Sequence, residues 1–298
     1  MTLFYRIIQK LLEKTFSLIN NLLYYPHKTS FTSSGPLISV IIPVYDPNPD
    51  HLKTAIESVI DQTYQNWELI IINDASPNPQ IQILLELFSN HPKIKIIHNL
   101  KNLNIVASTN LGIRESRGEY IAFFDHDDYL FPQALSYIAQ NLNEITYTDE
   151  DKILNSQHSN PFFKPDFDPN LLSQVNYINH LCVFKKTFLE KLNYLRPGTD
   201  GSQDWDLLLR ASKILKTSQV THLPQILYSW RITPTSTASA SGIKNSKYLD
   251  VQKTILQFNF PTSTITPSRY LGIWSHNHQP TVLPYQFQLH TLKHLSSF

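Results

Sequence analysis

Asp125, Asp127 and Asp128 stand within four positions of one another, with His126 between the first two, at the end of the apolar run EYIAFF. Carboxylates this close repel, and burying one without a partner is costly. Two of them spaced i, i+2 at a strand end can turn their oxygens toward one hard divalent cation, which removes the repulsion and suits Mg²⁺ or Mn²⁺. A solvated turn with Asp side chains accepting backbone N–H bonds gives the same pattern. An EF-hand loop is excluded: Tyr129 and Leu130 occupy the acidic-ligand and turn-glycine positions, and Ser136 the place of the closing glutamate.

Asp74 ends a second apolar stretch, WELIIIND, where it can accept hydrogen bonds from a base or ribose, or cap a turn. Trp205 and Tyr177 can stack on a sugar ring or fill the core, and His126 could ligate a metal, although a side chain at the middle of the acidic turn is expected to point away from its neighbours. Seven glycines supply neither a G-x-G-x-x-G after the first strand nor a G-x-x-x-x-G-K-[ST] loop. The diphosphate of a bound nucleotide would then depend mostly on a metal for neutralisation.

These residues need elements to position them. LISVIIPVY (37–45), WELIIIND (67–74), IKIIHN (94–99) and EYIAFFD (119–125) read as buried strands, separated by helical patterns at 51–62, 81–89 and 106–116. Short β-rich runs alternating with helices of about ten residues predict an α/β fold with a mainly parallel sheet flanked by helices, and ligands at the carboxyl ends of the strands. Beyond Pro132 the pattern predicts a helix at 133–143, a strand EITYTDED, a strand HLCVF (180–184), helices at 187–192 and over about a dozen residues to Lys216, a strand at 221–231 and a helix at 245–258.

The composition limits the partners. Lys plus Arg (25) nearly cancel Asp plus Glu (24), so the charge of +1 offers no argument for nucleic acid. Cys182, the sole cysteine, excludes an intramolecular disulfide and reads as a buried small apolar residue. No stretch reaches the roughly 18 apolar residues of a membrane span, which makes a cytoplasmic chain the expectation. Residues 1–26 end at Pro26 and carry an amphipathic helical pattern over 1–25, with Phe4, Ile7, Leu11, Leu18 and Leu22 near one face. That face suits packing on its own domain, self-association, or the inner membrane surface. A polar linker (27–36), a catalytic domain (37–260) and a C-terminal extension (261–298) follow.

Several motifs come in a telling order: SVIIPVYD (39–46), AIESVIDQTYQNWELIIINDAS (55–76), N-x-G-I with RGEYIAFFDHDD (110–128), QDWDLLLR (203–210), and LYSWR followed by STAS (227–239). This set resembles the family 2 glycosyltransferases with the GT-A fold over roughly residues 37–240, and especially bacterial members that build O-antigen and other surface polysaccharides. The resemblance implies that Asp127 ligates a metal, with Asp125 nearer the ribose and metal-bound water. It implies that Pro43, Tyr45, Asp46 and Asp74 form the nucleoside pocket, and that Asp204 is the catalytic base. Arg231 becomes a partner for the diphosphate. Gln203 and Ser229 depart from the family pattern, which often has an acidic residue and a histidine there. The KPDFDPNLL segment (164–172) with Asn176, Asn179 and His180 is expected to shape the acceptor site, and the Thr233–Gly242 stretch to act as a lid or an ordinary loop.

The expected activity is metal-dependent, inverting transfer of a sugar from a UDP- or dTDP-linked donor to a hydroxyl of a glycan or lipid-linked acceptor. The alternatives are a sugar-nucleotide nucleotidyltransferase, which would usually carry a Gly-rich loop where this chain has VYDPNPD, and a non-catalytic nucleotide-sugar-binding protein of the same fold.

Overall fold

A computed structural model describes residues 35–154, 157–233, 246–268 and 272–277. The amphipathic segment 1–26, nearly all of the linker, all but Thr233 of the expected lid and all of the tail beyond 277 lie outside the described residues.

The first half is built from three βα units and a fourth strand: β1 (Ile38–Val44), α1 (Pro49–Ile60), β2 (Trp67–Asn73), α2 (Pro79–Glu86), β3 (Ile94–His98), α3 (Asn104–Glu115) and β4 (Tyr120–Phe123). β1 pairs in parallel with both β2 and β4, and β2 with β3. Every residue of β2 is buried, as expected of a strand covered on both faces. Two helices start two residues earlier than the apolar pattern suggests. Asn48 accepts from the N–H groups of Asp50 and His51, and Asn78 from that of Gln80, each followed by a proline at the first helical position.

The second half adds β5 (Tyr129–Leu130), α4 (Ala134–Gln140), β6 (Ile145–Leu154), β7 (Gln157–Phe162), α5 (Pro169–Gln174), β8 (Cys182–Lys185), α6 (Lys186–Lys191), α7 (Gln203–Ser212), β9 (Val220–Arg231) and α8 (Ser246–Asn259). The nine-stranded sheet runs β3-β2-β1-β4-β8-β6-β9-β5, with β7 on β6. It is parallel through its first four strands and mixed thereafter. β8 lies antiparallel between β4 and β6, while β6 and β9 run parallel. Two apolar cores cover the two faces of the sheet. The packed body continues past residue 260: Ile265 and Trp274, on the small hairpin of β10 (Ile265–Pro267) and β11 (Trp274–His276), join the second core. Trp274 donates from its indole to Gln252 Oε1 at 3.0 Å.

Two glycines in the recognisable motifs are there for space. A Cβ on Gly112 would come within 2.6 Å of Ile41 and Ile72, so α3 could not lie on β1 and β2. A Cβ on Gly118 would meet Ser39 N at 2.7 Å and Leu37 O at 2.8 Å, where the turn into β4 passes along β1.

Candidate active site

Strand direction explains how distant residues converge. β4 delivers Asp125 to Asp128 at its carboxyl end. β8 runs antiparallel with Cys182 opposite Phe123, so His180, just ahead of β8, arrives at the same edge. β6 also runs antiparallel to β8, with Tyr147 opposite Cys182, and Glu150 therefore emerges there too. β9 brings Tyr228 alongside Glu150 and ends at Arg231. Across the cleft, α7 presents Asp204 in its first turn.

The cleft has a volume of about 1430 Å³ and is lined by Pro43, Tyr45, Asp46, Asp125, Asp127, Asp204 and Arg231, among others. Tyr45 is half exposed, and Asp46 adopts a left-handed backbone (φ 48°) with its N–H donating to Ser76 Oγ at 3.0 Å. The β1–α1 loop thus forms one end of the cleft, braced from behind by Ser76 of the β2–α2 loop. His126 Nδ1 lies 3.2 Å from the Pro43 carbonyl oxygen, tying the acidic turn to β1 rather than facing the carboxylates.

The three aspartates of the turn have different surroundings. Asp128 is fully buried; its oxygens accept from the Tyr228 hydroxyl and from Arg231 N at 2.7 Å. Burial, then the charges of Asp127 and Asp125, pushes its carboxyl well above the usual range. Asp127 lines the cleft and is also raised, by burial and by the charge of Asp125, while its carbonyl accepts from Arg231 Nε at 2.7 Å. Asp125 Oδ2 lies 3.2 Å from His180 Nε2. Burial alone would raise Asp125, but the His180 contact outweighs it and holds the carboxyl low.

His180 is the centre of a charged network. Its Nδ1 faces Glu150 Oε2 at 3.7 Å, and its ring stacks on Tyr228. Burial opposes the imidazolium, yet Asp125 and Glu150 raise its pKa to about 10. Glu150 also pairs with Lys152, and with Lys164 Nζ at 3.1 Å.

Asp204 Oδ2 accepts from Asn176 Nδ2 at 3.0 Å. Burial pushes its carboxyl up and the Asp125 charge adds to this, against the His180 charge and the Asn176 and Trp205 N–H groups. A carboxyl so raised is a stronger base once ionised. The next residues of α7 turn away: Trp205 is fully buried with its indole donating to the Leu172 carbonyl at 2.8 Å, and Asp206 is fully buried against Arg210 and Arg196. The expectation that Trp205 stacks on a substrate is therefore corrected, because at 100° per residue only one of three successive side chains faces the cleft.

Asp74 is 2% exposed, and its Oδ1 accepts from Asn99 Nδ2 at 2.7 Å and Leu103 N at 2.8 Å. It braces the loops after β2 and β3 and is not among the residues lining the cleft. The sequence pattern gave no role to Glu150, Lys152 or Tyr228, and placed Lys164 only within the segment expected to shape the acceptor site. The signal available was TDED inside a strand, since three successive acids at a strand's centre require buried partners.

Among the described residues, ligand-type atoms that come within 4.8 Å of one another belong to Asp125, Asp128 and His180. Asp128 already uses both oxygens, and both ring nitrogens of His180 face carboxylates. Asp125 and Asp127 both line the cleft, and a cation between these two hard oxygen ligands would relieve their mutual repulsion. Two such oxygen donors would suit a hard divalent cation such as Mg²⁺ or Mn²⁺.

The model of glycosyl transferase family 2 matches residues 39–186. An uncharacterized glycosyltransferase of Rickettsia typhi is 30% identical over 222 residues, covering 70% of this chain and 67% of that protein. The O-antigen biosynthesis protein RfbC of Myxococcus xanthus is 37% identical over 216 residues, 70% of this chain. The chain spans 24% and 17% of the length of two curated relatives that match at 39% and 37% identity. The crystal structure of S. aureus TarS 1-349 in complex with UDP-GlcNAc superposes with a TM-score of 0.58 at 15% identity, over 73% of this chain and 65% of that one, which establishes the GT-A fold. The described residues contain no helix long and apolar enough to cross a membrane. Motif order, fold and matched length together place the chain in the family 2 glycosyltransferases.

Proposed function

We propose that this chain is a metal-dependent inverting glycosyltransferase that moves a sugar from a UDP- or dTDP-linked donor to a hydroxyl of a glycan or lipid-linked acceptor in surface-polysaccharide synthesis. The observation that carries the reading is the placement of Asp204, held by the Asn176 amide, in one cleft with the Asp125–Asp127 pair, behind which stands the charged His180 network. The RfbC relationship supports the polysaccharide assignment, and the UDP-GlcNAc complex of TarS supports a nucleotide-sugar donor.

In this reading Pro43, Tyr45 and Asp46 receive the nucleoside, with Asp74 bracing the loops beneath. Asp125 and Asp127 would hold the divalent cation, which supplies Lewis-acid neutralisation of the leaving diphosphate. Arg231 fixes the acidic turn through the Asp127 carbonyl and faces the same diphosphate. Asp204, oriented by Asn176, accepts the acceptor hydroxyl proton as that oxygen attacks the anomeric carbon and the bond to the diphosphate breaks. A single displacement inverts the centre, and general-base assistance contributes about 10²- to 10⁴-fold.

A thermal-shift screen of UDP-, dTDP- and GDP-sugars with and without Mn²⁺, followed by turnover assays of wild type and Asp204→Asn, tests this. Nucleotide stabilisation retained with transfer lost is the expected result; no stabilisation by any nucleotide sinks it. The apolar face in the sequence of residues 1–25 supports peripheral attachment to the inner membrane surface. Equal liposome co-sedimentation with and without that segment would refute attachment.

A further inference from the structure

Lys164 is buried among groups that the transfer reaction does not need directly. Its side chain has no exposed surface, its Nζ pairs with Glu150 at 3.1 Å, and it donates to three successive carbonyls, those of Ile178, Asn179 and His180. These carbonyls belong to an irregular stretch, residues 175–181, that joins α5 to β8. One end of the stretch carries Asn176, which holds Asp204; the other carries His180, which holds Asp125. Between them Tyr177 and Ile178 are buried and anchor the strap.

We infer that the Asn176–His180 strap, clamped by Lys164, sets the separation between the base Asp204 and the metal-holding Asp125, which makes Lys164 a positioning residue for the transfer. The inference rests on the reading of Asp204 and Asp125 above. An ammonium that satisfies three consecutive carbonyls fixes a backbone that otherwise has few ladder bonds. Burying that charge without a structural return would be unfavourable. Misplacing one carboxylate by about 1 Å is enough to cost roughly a hundredfold in rate.

Cys182, the only cysteine, lies two residues beyond His180, lines the cleft and is 6% exposed. It reports on the strap without any need for turnover. In folded Lys164→Met, thiol labelling by a small disulfide reagent in native buffer is expected to be at least about tenfold faster, at a rate independent of added urea, as local opening requires. With a donor identified by the screen above, kcat falls about tenfold to a hundredfold while the donor KM changes less than about twofold. Lys164→Gln, which keeps two N–H donors, should recover part of both losses. Wild-type labelling and wild-type kcat in a folded Lys164→Met protein would overturn the inference. So would failure of both variants to fold, which would assign Lys164 to stability alone. If wild type turns over no donor, the reaction assignment fails, while unchanged labelling would still identify failure of the clamp.

Discussion

Asn176 Nδ2 donates to Asp204 Oδ2 at 3.0 Å, and this hydrogen bond opposes the burial that drives the Asp204 carboxyl upward. A hydrogen bond to the ionised form lowers a carboxyl pKa. A base works only when deprotonated, so the acid limb of the kcat profile should lie above the range of an ordinary carboxylic acid. Asn176→Ala removes the opposing donor and should move that limb to still higher pH, while kcat on the plateau falls because Asp204 loses the partner that orients it. A pH–rate series of the two proteins checks this, and a limb that stays put or moves down would exclude Asp204 as the titrating base.

Asp127 faces the cleft at the open end of the acidic turn, and the nearby Asp125 charge helps keep its carboxyl raised. UDP at a hundred times its dissociation constant should stabilise the Mn²⁺-loaded wild type by about 2.7 kcal/mol. Asp127→Asn, or chelation of the metal, should remove most of that shift while leaving the unliganded melting temperature near wild type. Undiminished Mn²⁺-dependent UDP stabilisation in the variant would show that the metal is held elsewhere.

Gly118 turns the chain into β4 against β1, where an added Cβ would meet the Ser39 hydroxyl and nitrogen and the Leu37 carbonyl. Gly118→Ala should cost about 1–3 kcal/mol, the usual penalty for forcing an atom into filled space. Because two of the three obstructing atoms are backbone, Ser39→Ala in the same chain should not restore stability. Full recovery in the double variant would show that only the hydroxyl matters. Denaturant midpoints suffice for the comparison.

The first four strands were readable because apolar runs punctuated by turn residues leave little choice of element, and the strand ends then mark the ligand edge. The missed elements have physical reasons. QHSNPF of β7 is a polar edge strand on one side of a hairpin, and α5 is only six residues long, although Asp168 and Pro169 repeat the cap signal that starts α1 and α2. Asp125, Asp127 and Asp204 were visible as types at spacings. Which neighbour turns inward was not visible: Asp128 is the buried one of its group, and Trp205 follows the core face of α7. The Lys164–Glu150–His180 network joins residues 14 to 30 positions apart on three separate stretches, and only the mixed strand order brings them together.

Glu68 provides a stability test remote from the cleft. Its Oε1 accepts from Ser39 Oγ at 2.6 Å, Arg117 N at 2.6 Å and Gly118 N at 3.2 Å, while Oε2 accepts from Arg117 Nε at 2.9 Å. The Arg117 side chain is 76% exposed, so that ion pair contributes little, and the buried N–H and O–H donors carry the effect. Burial alone would raise Glu68, but these donors prevail and hold its carboxyl below the ordinary value. A depressed carboxyl contributes stability that is complete above its unfolded pKa and is lost as pH falls through the folded one. Glu68→Gln should therefore cost about 1–3 kcal/mol near neutral pH, and the gap between variant and wild type should narrow as the solution is acidified below the usual glutamate range. Urea titrations at several pH values measure the gap directly. Equal midpoints at neutral pH, or a gap that widens in acid, would mean that Glu68 does not anchor the β4 turn as a carboxylate.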